Sequence, residues 1–171
     1  LLLASTDAWY AQIEALDGPL LYQFAPYSDF FAASTIKLPI AMAAYAWLEE
    51  QAFSNWETYI SEQGTGGRSY QQLLTAMLVE SEEEATEILV EHLGKAALEA
   101  RWQSWGLADT QPSPRRSSVR DLRACFLAAY RGAWLKPSSQ QHLLQLLSAY
   151  TVNDEGRLGR LKLQVSSPLT I

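Results

Sequence analysis

Ser34 and Lys37, three residues apart in Phe31-Ala32-Ala33-Ser34-Thr35-Ile36-Lys37-Leu38-Pro39, are the pair in this chain best suited to chemistry. At helical spacing the two side chains share a face and can reach each other. Pro39 fits where a helix has barely begun, because the first helical N–H groups have no intrahelical partner anyway. Ser34 then falls where loop becomes helix. A serine there can be a plain N-cap. That reading leaves Lys37 unexplained, since a cation in the first turn opposes the helix dipole and here leads into an apolar helix. Desolvation and a positive helix end both favour a neutral amine, the form a general base needs. The pair therefore reads two ways. It is a nucleophile with its base, the helix-start N–H groups serving a substrate oxyanion, or it is a cap beside a buried lysine.

The elements that must position this pair follow from periodicity. Residues 8–24 read as a β-hairpin: Trp9, Ala11, Ile13 and Ala15 alternate with polar neighbours, Asp17-Gly18 supplies a turn, and Leu20, Tyr22 and Phe24 alternate again. From the loop around Pro26, Ser28 and Asp29 to about residue 149 the spacing is helical. Leu38 to Leu48 is apolar on every side, which predicts a helix buried all round. Tyr70, Leu73, Leu74, Met77 and Leu78 mark a second helix, and Ala85, Ile88, Leu89 and Leu93 a third. Val119, Leu122, Phe126 and Ala129 mark another, and Leu143 to Leu147 the last. Gly64 to Gly67 and Gln111 to Pro114 read as loops. The tail from Leu161 to Ile171 has short strand-like runs. A two-stranded hairpin is marginal in water. Further strands are therefore expected beyond Ile171, and residues 1–171 read as a single domain that is incomplete at its C-terminal end.

Composition narrows the chemistry. At 171 residues, 48% of them apolar and 19% charged, the chain can build one packed core. Thirteen Lys and Arg against nineteen Asp and Glu give a net charge of −6, which argues against nucleic acid as a partner. One cysteine, Cys125, cannot form an internal disulfide or a multi-cysteine metal site, and it reads as a buried structural thiol. His92 and His142 are the only histidines, and neither has metal-ligand spacing. The longest charge-free apolar stretch, Leu38 to Leu48, is too short to span a bilayer. The six tryptophans are scattered and read as packing residues. Arg115, Arg116 and Arg120 read as a solvated basic spot.

Phe-x-x-Ala-Ser-x-x-Lys-hydrophobic-Pro resembles the active-site motif of the serine β-lactamase and penicillin-binding protein superfamily, class A in particular. The match continues downstream. Gly64 to Tyr70, then Leu73-Leu74-x-x-Met77-Leu78-x-x-Ser81-Glu82-Glu83-x-Ala85, is similar to the class A stretch in which one helix ends at Ser-Asp-Asn and the next begins. Leu89 to Gly94 and Ser118 to Leu127 are similar to the two segments that follow. The order and spacing hold over residues 8–150.

The resemblance implies an α/β (α+β) β-lactamase/transpeptidase-like fold, with a sheet formed by the chain ends and a helical region inserted between. It implies Ser34 as nucleophile, Lys37 as base and Ser81 as proton relay, with no metal or organic cofactor. Its substrates are small molecules or peptides, β-lactam or peptidoglycan-like. It also implies a periplasmic or secreted location in a bacterium. Three departures qualify it. Glu83 stands where the family has an Asn that binds the substrate's amide side chain, and a carboxylate has no N–H to donate. Ser81 with Glu84 also reads as a capping box. The deacylating loop glutamate has no counterpart in Leu107 to Val119, where Asp109 is the one acid, and no Lys-Thr-Gly motif follows. These features leave two expectations: a hydrolase or acyl-transferase slow to release its acyl-enzyme, or a non-catalytic binding or scaffold domain that keeps the fold.

Overall fold

A computed structural model describes residues 10–15, 18–51 and 55–149. Helix α1, Lys37–Glu50, is its axis: every residue from Lys37 to Ala46 is buried, as is Leu48. Small residues (Ala41, Ala43, Ala44, Ala46) alternate with Ile40, Met42 and Tyr45, so neighbouring helices approach on all sides. Full burial of each larger side chain contributes about 1.5–3 kcal/mol. A 3₁₀ turn over Ala33–Ile36 leads directly into α1 and carries Ser34.

Around α1 pack α3 (Tyr70–Leu78), α4 (Glu83–Leu93), α5 (Lys95–Ser104), α6 (Val119–Arg131) and α7 (Pro137–Ala149), with α2 (Trp56–Glu62) against α3. Leu73, Leu74 and Met77 of α3, Leu89 of α4, Leu98 and Trp102 of α5, Cys125 of α6 and Leu143 of α7 share the core. The indole N–H of buried Trp102 donates to the Pro39 carbonyl at 3.1 Å, so the largest core side chain leaves no polar atom unpaired. Both histidines are satisfied in packing positions. His142 Nδ1 pairs with the Tyr45 hydroxyl at 2.8 Å, and His92 Nε2 with the Tyr70 hydroxyl at 2.9 Å.

The hairpin is present as β1 (Ala11–Glu14) and β2 (Leu20–Phe24), antiparallel with Ala11 opposite Phe24 and a register shift at Ile13/Glu14. Trp9 and Asp17 of the expected hairpin, and the strand-like tail from Leu161, lie outside the described residues. Glu14 receives two hydrogen bonds from Arg123, tying the hairpin to α6. Ile13, Leu20, Leu21, Tyr22 and Phe24 remain exposed.

Short strands interrupt the region that reads as purely helical. β4 (Gly64–Thr65) and β5 (Arg68–Ser69) form a tight hairpin, and β3 (Phe30–Phe31) pairs with β7 (Arg115–Ser117), which pairs in turn with β6 (Gln111–Pro112). Runs of two or three residues carry too little alternation to be visible as strands in sequence. Ser118 caps α6 by accepting the Asp121 N–H at 3.2 Å, and Ser69 with Gln72 forms a capping box on α3.

Candidate active site

The 3₁₀ turn and the start of α1 set Ser34 and Lys37 side by side, and the turn between α3 and α4 brings Ser81 to them. Lys37 is only 3% exposed. Its Nζ donates to the Ser81 carbonyl at 2.6 Å, to the Ser81 hydroxyl at 2.9 Å and to the Ser34 hydroxyl at 3.4 Å. The two hydroxyls are 3.2 Å apart, and Ser34 itself is exposed. The burial expected for Lys37 is observed, and so is the approach of Ser81.

Neither serine serves as a cap. The residue before the 3₁₀ turn, Ala32, offers no side-chain cap, and Ser34 lies inside that turn. Helix α4 begins at Glu83 with Glu82 at its N-cap position and no side-chain cap bond, so the capping box of Ser81 with Glu84 does not form. The reason is backbone geometry: Ser81 has φ +57°, in the left-handed region, which turns its hydroxyl toward Lys37 instead of the helix start. Ala33, before Ser34, has φ +46°. Such conformations cost a non-glycine residue about 1–2 kcal/mol and persist where surrounding contacts enforce them. Here the enforcing contacts are the Glu82 N–H on the Ala76 carbonyl (2.9 Å) and the Ala32 N–H on the Arg115 carbonyl (2.9 Å).

Glu83 closes the cluster. One carboxylate oxygen is 2.7 Å from Lys37 Nζ and the other is held by Arg115. These hydrogen bonds, from Lys37 first and then Arg115, hold the Glu83 carboxyl below its ordinary range. Arg115 is therefore not part of a solvated basic spot; β7 aims it across at α4. No pattern in the sequence signals this, because Arg115 and Glu83 are 32 residues apart and meet only through the β3–β7 pairing. Arg116 bonds Asp29, and Arg120 bonds Asp121, with Asp109 at 3.2 Å.

Glu83 and Arg115 also form one end of a cleft of about 970 Å³ between α4 and the β6–β7 hairpin, with Phe31, Pro112 and Pro114 on one wall and Glu87, Val90 and Glu91 on the other. Among the described residues, no group of three His, Cys, Asp or Glu side chains is arranged to hold a metal ion.

A family model described as the β-lactamase enzyme family matches residues 8–165. The chain belongs to the β-lactamase enzyme family. Solved structures agree on the fold. PBP-A is 25% identical with a TM-score of 0.64, the match covering 77% of this chain and 58% of that one. A PBP-A mutant captured as an acyl-enzyme complex with penicillin G is 25% identical with a TM-score of 0.66, covering 85% and 62%. A β-lactamase from Chitinophaga pinensis is 14% identical, with a TM-score of 0.71 over 94% of this chain and 69% of its own, and that likeness speaks for the fold alone. The chain thus spans about 60% of the length of the two PBP-A chains it matches. No protein with a curated description matches it. The β-lactamase-like α/β fold expected from the motifs is the observed one, and no described helix is long and apolar enough to cross a membrane.

Proposed function

We propose that the protein is a serine acyl-transferase or hydrolase that acts on β-lactam or peptidoglycan-like amides through an acyl-enzyme on Ser34. The observation that carries this reading is the convergence of Ser34, Lys37 and Ser81 within hydrogen-bond reach, on an exposed serine beside a buried amine. In its neutral form Lys37 takes the Ser34 proton as Oγ bonds to the substrate carbonyl carbon. The C–N bond then breaks, and the departing nitrogen receives a proton from the Ser81 hydroxyl, which Lys37 replenishes. Backbone N–H groups of the 3₁₀ turn supply part of the oxyanion site. Glu83, at the cleft end, meets the side chain of the substrate.

Deacylation on this reading is slow. Asp109, the one acid in the stretch from Leu107 to Val119, pairs with Arg120 rather than with the serine cluster. The family's usual setting suggests a periplasmic or secreted protein forming one β-lactamase-like domain. A second reading, a binding or scaffold domain without chemistry, is favoured by the Lys37–Glu83 ion pair, which occupies the amine that should act as base.

Intact-protein mass spectrometry after incubation with penicillin G separates the two. The enzyme reading expects a lasting one-to-one adduct that maps to Ser34 and is absent in Ser34→Ala. A chain that stays unmodified at every pH sinks it.

A further inference from the structure

We infer that a small cavity between α2, α3 and α7, remote from Ser34, binds an uncharged sugar ring that carries an acetamido group. This second site stands independently of the Ser34 reading.

The cavity holds about 280 Å³, at the low end for a small-molecule pocket and suited to a single ring. Gln71 lines it from the first turn of α3, whereas Ser81 follows the last turn of the same helix, so the two sites lie about 10 Å apart along α3. Helix α7 turns Ser138, Gln141, His142 and Gln145 toward the cavity, at the i, i+3, i+4, i+7 spacing of one helix face. A face set against neighbouring helices ordinarily carries apolar side chains. This one carries amides and a hydroxyl, while Leu143 and Leu146 of α7 join the core. From α2, Trp56 and Ile60 supply the apolar surface.

The aromatic wall is fixed in place. The Trp56 ring lies 5.7 Å from the Tyr45 ring and 6.4 Å from that of His142, which meets it edge-on. The negative face of such a ring attracts polarised C–H groups like those of a sugar. His142 adds an oriented donor. Its Nδ1 meets the hydroxyl of buried Tyr45 at 2.8 Å. Burial keeps the phenol protonated and the imidazole neutral, and a buried O–H needs an acceptor. Tyr45 therefore donates to Nδ1, which leaves the ring hydrogen on Nε2. That N–H, the Trp56 indole N–H and the side-chain amides of Gln71, Gln141 and Gln145 have no hydrogen-bond partner among the described residues. Glu57 is the one charged side chain among the residues that line the cavity, which disfavours an anion. Neutral groups that both donate and accept match ring hydroxyls. Amides on two helices, Gln71 facing Gln141 and Gln145, can also take both ends of an acetamido group, one donating to its carbonyl and another accepting its N–H.

The test titrates the full, ¹⁵N-labelled chain with N-acetylglucosamine, with glucose and with the β-1,4-linked N-acetylglucosamine trimer, followed by NMR. N-acetylglucosamine should shift the Trp56 indole N–H and the Gln141 and Gln145 side-chain amides saturably, with a Kd on the order of 1 mM. Glucose, which lacks the acetamido group, should bind about fivefold more weakly or worse. Gln141→Ala and Gln145→Ala, both at exposed helix positions, should each weaken N-acetylglucosamine about fivefold with unchanged circular dichroism. Glu57→Gln should bind within about twofold of wild type, because the ligand carries no charge. A trimer that binds more tightly than the monomer identifies a glycan chain as the source, and equal affinity identifies a free sugar; both support the site. The proposal is overturned if no saturable shift reaches Trp56 at sugar concentrations up to about 50 mM, or if both Ala variants bind as wild type does. Equal binding of glucose overturns the acetamido preference, and a loss of about tenfold or more in Glu57→Gln overturns the uncharged class. A chain that forms no Ser34 adduct with penicillin G would fail the nucleophile reading and leave this site standing.

Discussion

Ser81 meets Lys37 with two atoms at once, its carbonyl oxygen 2.6 Å and its hydroxyl 2.9 Å from Nζ. The turn that presents both atoms to the amine holds Ser81 at φ +57°, in the left-handed region. The cost of that conformation is tied to the function proposed for the site.

The first prediction separates the two contributions of Ser81. Ser81→Gly and Ser81→Ala both lose the hydroxyl and keep the carbonyl, so both should slow Ser34 acylation by about 10²–10⁴. They differ in backbone strain. Glycine ordinarily costs about 1 kcal/mol in ordered chain, but at φ +57° it avoids the Cβ penalty of about 1–2 kcal/mol. Thermal unfolding should therefore place Ser81→Gly at or above Ser81→Ala. A Gly variant several degrees less stable than the Ala variant would mean that the left-handed turn is not a constraint.

The second prediction concerns the substrate side chain. Glu83 sits half-exposed at the end of the cleft, with Glu87 and Glu91 further along the same wall. A penicillin whose side chain carries a free amino group should acylate Ser34 faster than penicillin G. A partly exposed charge pair contributes at most about 1 kcal/mol, so the ratio should be about fivefold or less. In Glu83→Gln the ratio should fall to about one, whatever the absolute rates become. An unchanged ratio in that variant would remove Glu83 from substrate contact.

Much of this site is legible in the sequence, for local reasons. Ser34 and Lys37 are one turn apart, so their meeting depends on a single helix start, and the all-apolar run to Leu48 announces a buried axis. Ser81 is reachable through the order of motifs. What stays hidden depends on long-range pairing. Arg115 reaches Glu83 because two short strands, Phe30–Phe31 and Arg115–Ser117, lie in register, and strands that short leave no periodic trace. The left-handed φ of Ser81 is equally invisible, since serine is a common cap and its neighbours suit a cap as well.

The third prediction is structural. Asp121 is 1% exposed and organises the loop before α6: its Oδ2 accepts the Asp109 N–H at 2.8 Å and the Thr110 hydroxyl at 2.9 Å, and its Oδ1 accepts from Arg120 at 2.9 Å. Thr110 and Ser117, both buried, share a further hydroxyl contact at 3.0 Å. Asp121→Ala leaves the part-buried Asp109 N–H without its acceptor and the Thr110 hydroxyl with Ser117 alone, and should cost about 1–3 kcal/mol in chemical unfolding. It should also loosen β6–β7, and with it the Arg115 contact to Glu83. A loss below about 1 kcal/mol would show that this network is not what fixes the loop.

The last prediction uses Cys125, buried in α6 against the core and free of any disulfide. Burial first, and then the nearby charge of Asp121, push its thiol from an ordinary value of 9.0 up to about 12. The folded protein therefore holds the proton more tightly than the unfolded chain does. The stability this provides is complete below about pH 9 and is lost progressively as pH rises from there toward 12. At about pH 10 the loss should be about 1.4 kcal/mol relative to about pH 8. Tyr45, whose hydroxyl is also pushed upward by burial, adds its own alkaline loss, so the measurement is a difference between wild type and Cys125→Ala. Unfolding by urea at those two pH values should show the variant losing less stability over the interval. The thiol should also resist alkylating reagents in the native protein at about pH 8 and react on unfolding. Equal alkaline losses in the two proteins, or rapid native-state labelling, would mean that the thiol reaches solvent without global unfolding.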